Sequence, residues 1–162
     1  MSFILPMPMR LALDHAHAAA ERGEVPVGAV VMQGDRVIAA VGNAMRQSND
    51  PTAHAEIVAI REACAALGSQ RLTGCDLWVT LEPCAMCAAA VAHARLDRLY
   101  YAASDPKGGG VEHGAHIFAT PGCNHIPQIY AGIGEGEAAA LLKCFFAARR
   151  GRFACDNALR HS

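Results

Sequence analysis

The sequence predicts an α/β fold with three α-β-α layers: a mixed sheet of about five strands with helices on both faces. Three observations lead there. Leu77-Trp78-Val79-Thr80-Leu81 is a continuous apolar run, as a central strand buried on both faces requires. It feeds directly into a helical stretch near Pro83, and Arg98-Leu99-Tyr100-Tyr101-Ala102 follows as the next strand, a βαβ crossover with a parallel pair. Amphipathic helical stretches also stand before, between and after the strand candidates.

Residues 7–21 read as an alanine-rich amphipathic helix, with Leu11, Ala12, His15, Ala18 and Ala19 at helical spacing. Its His15 and His17 are packing or surface residues rather than ligands. Residues 27–32 and 36–41 are short β-branched runs around Gln33-Gly34-Asp35, a hairpin signal. His54 opens a stretch in which Ile57, Ile60, Cys64 and Leu67 recur at helical spacing, and Gly68 ends it. Pro83 suits a helix start, because its missing N–H is not needed there and its φ is already helical. Gly108-Gly109-Gly110 opens a long irregular stretch through Gly122. Residues 126–130 are the weakest strand candidate. Residues 135–150 form a helix with Ala138, Leu141, Leu142 and Phe145 on one face, and Phe146 cannot share that face.

With no internal repeat and no low-complexity linker, the 162 residues read as one domain, with a core over about 8–150 and a basic tail over 151–162. A hydrophobic content of 52% is ample for a buried core. Phe3-Ile4-Leu5 is interrupted by Pro6 and Pro8 and follows no basic segment, so a signal peptide is not expected. Residues 114–134 lack formal charge, but Pro121, Pro127 and four glycines rule out a spanning helix, so no membrane is expected. Seven cysteines without disulfide-framework spacing suit a reducing, cytoplasmic setting. Cys64, Cys75, Cys123, Cys144 and Cys155 are expected to act as small apolar residues.

The net charge of −1 argues by itself against a nucleic-acid partner, but its distribution is uneven. Residues 143–160 hold Lys143, Arg149, Arg150, Arg152 and Arg160 against Asp156 alone, a net +4, whereas the first 142 residues carry −5. A basic tail on an acidic body can grip a phosphate backbone. Equally, it can be a solvated helix end whose arginines complement the helix dipole.

The chemistry concentrates in His54-Ala55-Glu56 and, thirty positions later, Pro83-Cys84-Ala85-Met86-Cys87. His54, Cys84 and Cys87 are three soft metal ligands, and Glu56 is a carboxylate that is not a ligand. A structural zinc site fills four positions from the protein, while a catalytic one keeps the fourth for water, whose pKa falls to roughly 7. No second CxxC or nearby HxxxH offers a fourth ligand here. Glu56 can then carry protons between water, a ring nitrogen and a leaving amine. Residues two apart diverge by about 200° on a helix, so His54 must lie at the very start and Glu56 in the first turn. Cys84 and Cys87 would share one face of their helix, where free N–H groups and the dipole favour thiolate.

H-x-E…P-C-x-x-C marks the zinc nucleobase deaminases. Around it, over roughly residues 8–150, the chain resembles the bacterial tRNA-specific adenosine deaminases of the cytidine-deaminase-like superfamily. The resemblance runs through Glu24-Val25-Pro26-Val27-Gly28-Ala29-Val30, Asn43, Asp50-Pro51-Thr52-Ala53-His54-Ala55-Glu56 and Val79-Thr80-Leu81-Glu82-Pro83-Cys84-Ala85-Met86-Cys87. It continues in Gly122-Cys123-Asn124-His125 and Phe145-Phe146 before Arg149-Arg150. It implies a cytidine-deaminase-like fold, one Zn²⁺ per chain, a homodimer, and deamination of adenosine to inosine at the wobble position of a tRNA anticodon loop. Loop bases suit such an enzyme because they are already unstacked.

By the same resemblance, Asn43 and the Ala55 N–H meet the base, although Asn43 alone also reads as a loop-capping residue at a strand end. Asp105 and Lys107 fall in a loop flanking the substrate. Asn124, His125, Phe145, Arg149 and Arg150 match positions near the neighbouring nucleotides, with a core role for Phe145 as the alternative. The chain departs from the family in Gly108-Gly109-Gly110-Val111-Glu112-His113-Gly114-Ala115-His116, in Ser104 where arginine is common, and in Cys144 where an acid is usual. Glu112, His113 and His116 lack ligand spacing for a second metal. Two other readings are a deaminase of free guanine or cytosine on the same fold, and an inactive zinc-stabilised RNA-binding subunit. Glu56 argues against the last, since a structural role needs no proton carrier.

Overall fold

The computed structural model describes residues 4–151. Arg152, Cys155, Asp156 and Arg160, and with them the expected basic tail after residue 151, lie outside the described residues. The helix α1 (Met7–Glu21) leads into a hairpin of β1 (Gly28–Gln33) and β2 (Arg36–Gly42). The short helix α2 (Met45–Ser48) and the helix α3 (Ala55–Leu67) follow. Next come β3 (Cys75–Leu81), α4 (Ala85–Ala94) and β4 (Arg98–Ala103). A 3₁₀ turn (Ile117–Ala119), β5 (Gln128–Ala131) and α5 (Glu135–Arg149) complete the order.

The sheet runs β2-β1-β3-β4-β5. β1 is antiparallel to β2 and to β3, while β3, β4 and β5 are mutually parallel. This is the mixed five-stranded sheet the sequence predicts. Strand alternation divides the core between its two faces. Ala29, Val31, Leu77, Val79, Leu99 and Tyr101 pack with Ala55, Ala59 and Ala63 of α3 and Ala88 and Val91 of α4. Val30, Met32, Trp78 and Ala102 pack with Met9, Ala12 and Leu13 of α1 and Ala138 of α5. On that second face Trp78, Tyr100 and Tyr130 are register neighbours and stack, with ring centroids 3.7 and 4.8 Å apart.

The small residues set the layer spacing. A Cβ on Gly28 would collide with the Ala12 carbonyl, and one on Gly42 would lie 2.7 Å from the His15 carbonyl oxygen. The backbone of α1 therefore rests almost directly on the hairpin, which fixes where β2 ends and Asn43 begins. No described helix is long and apolar enough to cross a membrane. Cys64, Cys75 and Cys123 are free thiols, whereas Cys144 is disulfide-bonded and departs from its expected role as a small apolar residue.

Candidate active site

Two helices begin at the site, each with a candidate ligand as its N-cap. His54 precedes α3 with extended backbone (φ −64°, ψ 151°), and its carbonyl accepts the Val58 N–H at 3.0 Å. That conformation removes the angular conflict with Glu56, because His54 stands outside the helix while Glu56 occupies its first turn. Cys84 is likewise extended (φ −67°, ψ 174°) and accepts the Ala88 N–H at 2.8 Å. Pro83 thus lies one residue before the helix cap and is not the first helical residue. Its carbonyl is taken by the Gly110 N–H at 2.8 Å, which holds the chain extended through Cys84.

His54 Nδ1 lies 3.7 Å from Cys84 Sγ and 3.5 Å from Cys87 Sγ. The three ligand atoms all fall within 4.8 Å of one another, a group that could hold a metal ion. The hydrogen bond from the Cys87 thiol, helped by His54, pushes Cys84 down to about 4 and makes it a thiolate. Donation to Cys84 together with burial pushes Cys87 up, and the bond with Cys84 raises His54. Glu56 is 4% exposed. Burial raises its carboxyl to about 7, against the pull of its own backbone N–H and of His54. A carboxyl balanced near neutrality beside three soft ligands can both accept and return a proton.

Asn43 braces this arrangement. Its Oδ1 accepts the Ala55 N–H at 2.7 Å and its Nδ2 donates to the Val25 carbonyl at 3.0 Å. It ties the end of the hairpin to the first turn of α3. Asp105 and Lys107 lie on the loop after β4: the Asp105 carboxylate accepts the Lys107 and Gly108 N–H groups, and Lys107 is exposed. Asn124 and His125 are bonded instead to the far end of α4. Arg95 donates to the Asn124 carbonyl at 2.8 Å, and His125 Nε2 bonds the Leu96 carbonyl at 2.6 Å. That places them roughly 15 Å along the helix from Cys84, beside a cleft of about 480 Å³ lined by Arg71, His93, Arg95 and Asn124. Phe145 and Arg149 lie at the C-terminal end of α5 and Arg150 is its C-cap; Arg149 stands 4.5 Å above the Phe145 ring and donates to the Gly23 carbonyl at 2.7 Å.

Sequence reasoning missed Glu82. Its side chain is fully buried and accepts the N–H groups of Asp105, Val111, Glu112 and His113, with His113 Nδ1 at 2.7 Å. Burial works against its negative charge, yet these donors hold the carboxyl below its ordinary range. The divergent glycine-rich loop is wound around this carboxylate. A Cβ on Gly109 would strike Glu82, and one on Gly110 would come within 2.5 Å of the Ala85 nitrogen, so the loop seats directly on the turn carrying Cys84. The available signal was an ionisable residue closing an otherwise apolar strand immediately before Pro83-Cys84.

An imidazole, two thiols and a buried, proton-carrying carboxyl at two helix N-termini beside the end of a central strand define a hydrolytic deaminase. Residues 7–150 match the family described as MafB19-like deaminase. The tRNA-specific adenosine deaminase of Agrobacterium fabrum is 57% identical over 142 residues, covering 88% of this chain and 93% of that protein. A solved tRNA:A34 deaminase, from work on A-to-I editing at the wobble position of transfer RNA, matches with TM-score 0.82 at 58% identity. That match covers 83% of this chain and 98% of that one. A guanine deaminase from Bacillus subtilis is 33% identical with TM-score 0.61, covering 93% and 95%. The chain belongs to the tRNA-specific adenosine deaminase family, and it is an enzyme of hydrolytic deamination.

Proposed function

We propose that this chain converts adenosine to inosine at the wobble position of a tRNA anticodon loop, using zinc held by His54, Cys84 and Cys87. The observation that carries the reading is Glu56, buried with its carboxyl near 7 beside that ligand set, in a chain 57% identical to a tRNA-specific adenosine deaminase. Zinc is supported by fit. Tetrahedral coordination with Zn–N near 2.05 Å and Zn–S near 2.3 Å separates nitrogen from sulfur by about 3.6 Å, against 3.5 and 3.7 Å here. When bound, zinc supplies the Lewis acidity that makes water a nucleophile near neutral pH.

The chain's own groups do the rest. Glu56 accepts a proton from the attacking water and delivers it to the purine ring nitrogen, so that negative charge does not accumulate there; it then takes the second proton from the hydroxyl now on C6 and passes it to the amine, which leaves as ammonia as the C6 carbonyl forms. Asn43 keeps Ala55, and with it the His54–Glu56 turn, in place, and its remaining hydrogen-bonding capacity is available to the base or ribose. Asp105 and Lys107 flank the bound nucleotide, and Phe145, Arg149 and Arg150 meet neighbouring ones. Asn124 and His125, distant from Cys84 along α4, reach RNA at a second point. A homodimer and a cytoplasmic location, where tRNA is found, complete the proposal.

The test is inosine formation on an anticodon stem-loop bearing a wobble adenosine, run beside free guanine, cytosine and adenosine. The stem-loop should be the preferred substrate. The variant Glu56→Ala should bind zinc and RNA while losing roughly 10²–10⁴-fold or more in turnover. Faster turnover of free guanine would favour the free-base reading instead, and a near-normal rate in Glu56→Ala would remove the assigned proton carrier.

A further inference from the structure

Arg22, Arg46 and Arg149 come from three separate elements and converge on one small area. Arg46 Nη1 and Arg149 Nη2 both donate to the Gly23 carbonyl oxygen, at 3.2 and 2.7 Å. Arg22, the C-cap of α1, donates from Nη2 to the Asn43 carbonyl at 3.3 Å. Arg150, the C-cap of α5, follows Arg149. All four side chains are exposed. Among the described residues, none of them lies within 4.0 Å of a carboxylate. Of the acids next to α2, Asp50 is already engaged by Thr52 and Arg61, and Glu24 gives its Oε1 to the Gln47 N–H.

Like charges gathered this way repel. Two guanidinium groups on one oxygen lie within about 6 Å of each other, and a neutral carbonyl compensates neither. Each guanidinium has five donors, so most remain available to an anion. Attraction to the carboxyl end of α1 would explain one arginine there, but not three arriving from different elements. The aromatic surroundings point the same way. Arg149 rests on Phe145, and Phe146 sits edge-on to that ring at 5.5 Å while remaining 40% exposed. Cations interleaved with an exposed aromatic ring are the make-up of a surface for single-stranded nucleic acid. Asn43 connects the cluster to the active site, since its carbonyl takes Arg22 while its side chain takes the Ala55 N–H beside His54 and Glu56.

We propose that Arg22 and Arg46, together with Arg149 and Arg150, seat a phosphodiester of the RNA strand adjoining the nucleotide being deaminated. This rests on the functional reading above and adds two residues, Arg22 and Arg46, to the RNA contacts expected there. The anion relieves the repulsion among the guanidinium groups, and its position one hydrogen bond from Asn43 sets how the strand enters the site.

The experiment measures binding of the full chain to the wobble-adenosine stem-loop across a potassium chloride series. Folding is checked by melting and zinc content. The double variant Arg22→Gln/Arg46→Gln should bind at least tenfold more weakly at low salt, and its log–log salt slope should fall by about 0.7 for each phosphate no longer neutralised. Arg46→Lys should keep the slope, and Arg36→Gln, at the far end of the hairpin, should behave as wild type. Replacing a phosphate next to the target adenosine by a methylphosphonate should weaken the wild type and leave the double variant little changed. An unchanged slope in the folded double variant would overturn the proposal. If that variant folds poorly, wild-type affinity indifferent to methylphosphonates on both sides of the adenosine would overturn it as well. Wild type that binds with the expected slope yet forms no inosine would sink the functional reading and leave the phosphate seat standing.

Discussion

Glu56 shows how one buried residue links chemistry to stability. Its carboxyl ionises at about 7 in the fold, against 4.5 ordinarily, because burial disfavours the anion. Between those values the unfolded chain gives up its proton while the folded chain keeps it. Stability therefore falls as pH rises through that window and is level on either side. Metal-free Glu56→Gln should be more stable than metal-free wild type at about pH 8, by roughly 3 kcal/mol, with the difference gone near pH 4. Urea denaturation at the two pH values measures this, and an equal offset at both would mean that the carboxyl is not held protonated by burial. A bound cation beside it draws the carboxyl back down, so the protein's own environment and the metal pull Glu56 in opposite directions toward the neutral range. The sequence revealed this residue because a carboxylate two positions from a candidate ligand histidine has few other uses. It did not reveal Glu82, whose partners are backbone N–H groups 23 to 31 residues away.

At the scale of elements, periodic segments were legible and non-local ones were not. The alanine-rich stretch over 7–21 is α1, and the two β-branched runs are the hairpin to within a residue. β5 begins at Gln128, two residues later than the apolar run suggested, because Pro127 has no N–H to give to β4. α2 escaped notice because it has no apolar periodicity: Glu24 Oε1 caps it by accepting the Gln47 N–H at 2.8 Å across 23 residues. The loop over 105–117 looked irregular for the same reason, since its order comes from a carboxylate on another element. Glu82→Gln should therefore loosen that loop, because an amide places N–H groups where the site supplies only donors. A loss of roughly 1–3 kcal/mol is expected for buried N–H groups left without an acceptor, with hydrogen exchange accelerated over residues 105–117. Unchanged protection there would show that the glycines alone hold the loop.

For the whole molecule, the site joins helices that the sheet carries side by side. His54 opens α3 and Cys84 opens α4, and thirty residues of chain separate them. A metal bound there staples the two helices at their N-termini. Chelation should then lower the melting temperature, and zinc at about a hundredfold excess over its dissociation constant should restore some 2.7 kcal/mol. In a chain of this size that corresponds to roughly 5–10 °C. Calorimetry with and without chelator checks it, and coincident transitions would mean that the ligands do not brace the fold. The sequence showed an uneven charge along the chain, but not that Arg22 and Arg46 of the acidic body meet Arg149.

The aromatic ladder across β3, β4 and β5 has a consequence for observing these changes. Trp78 is the chain's only tryptophan, and its indole stacks nearly parallel on the Tyr100 ring, the two planes inclined by 3°. Emission from a lone indole held against a phenol ring reports on the pairing of those two strands. The enzyme thus carries a built-in fluorophore at the middle of its sheet, able to signal separation of the parallel strands without any attached dye.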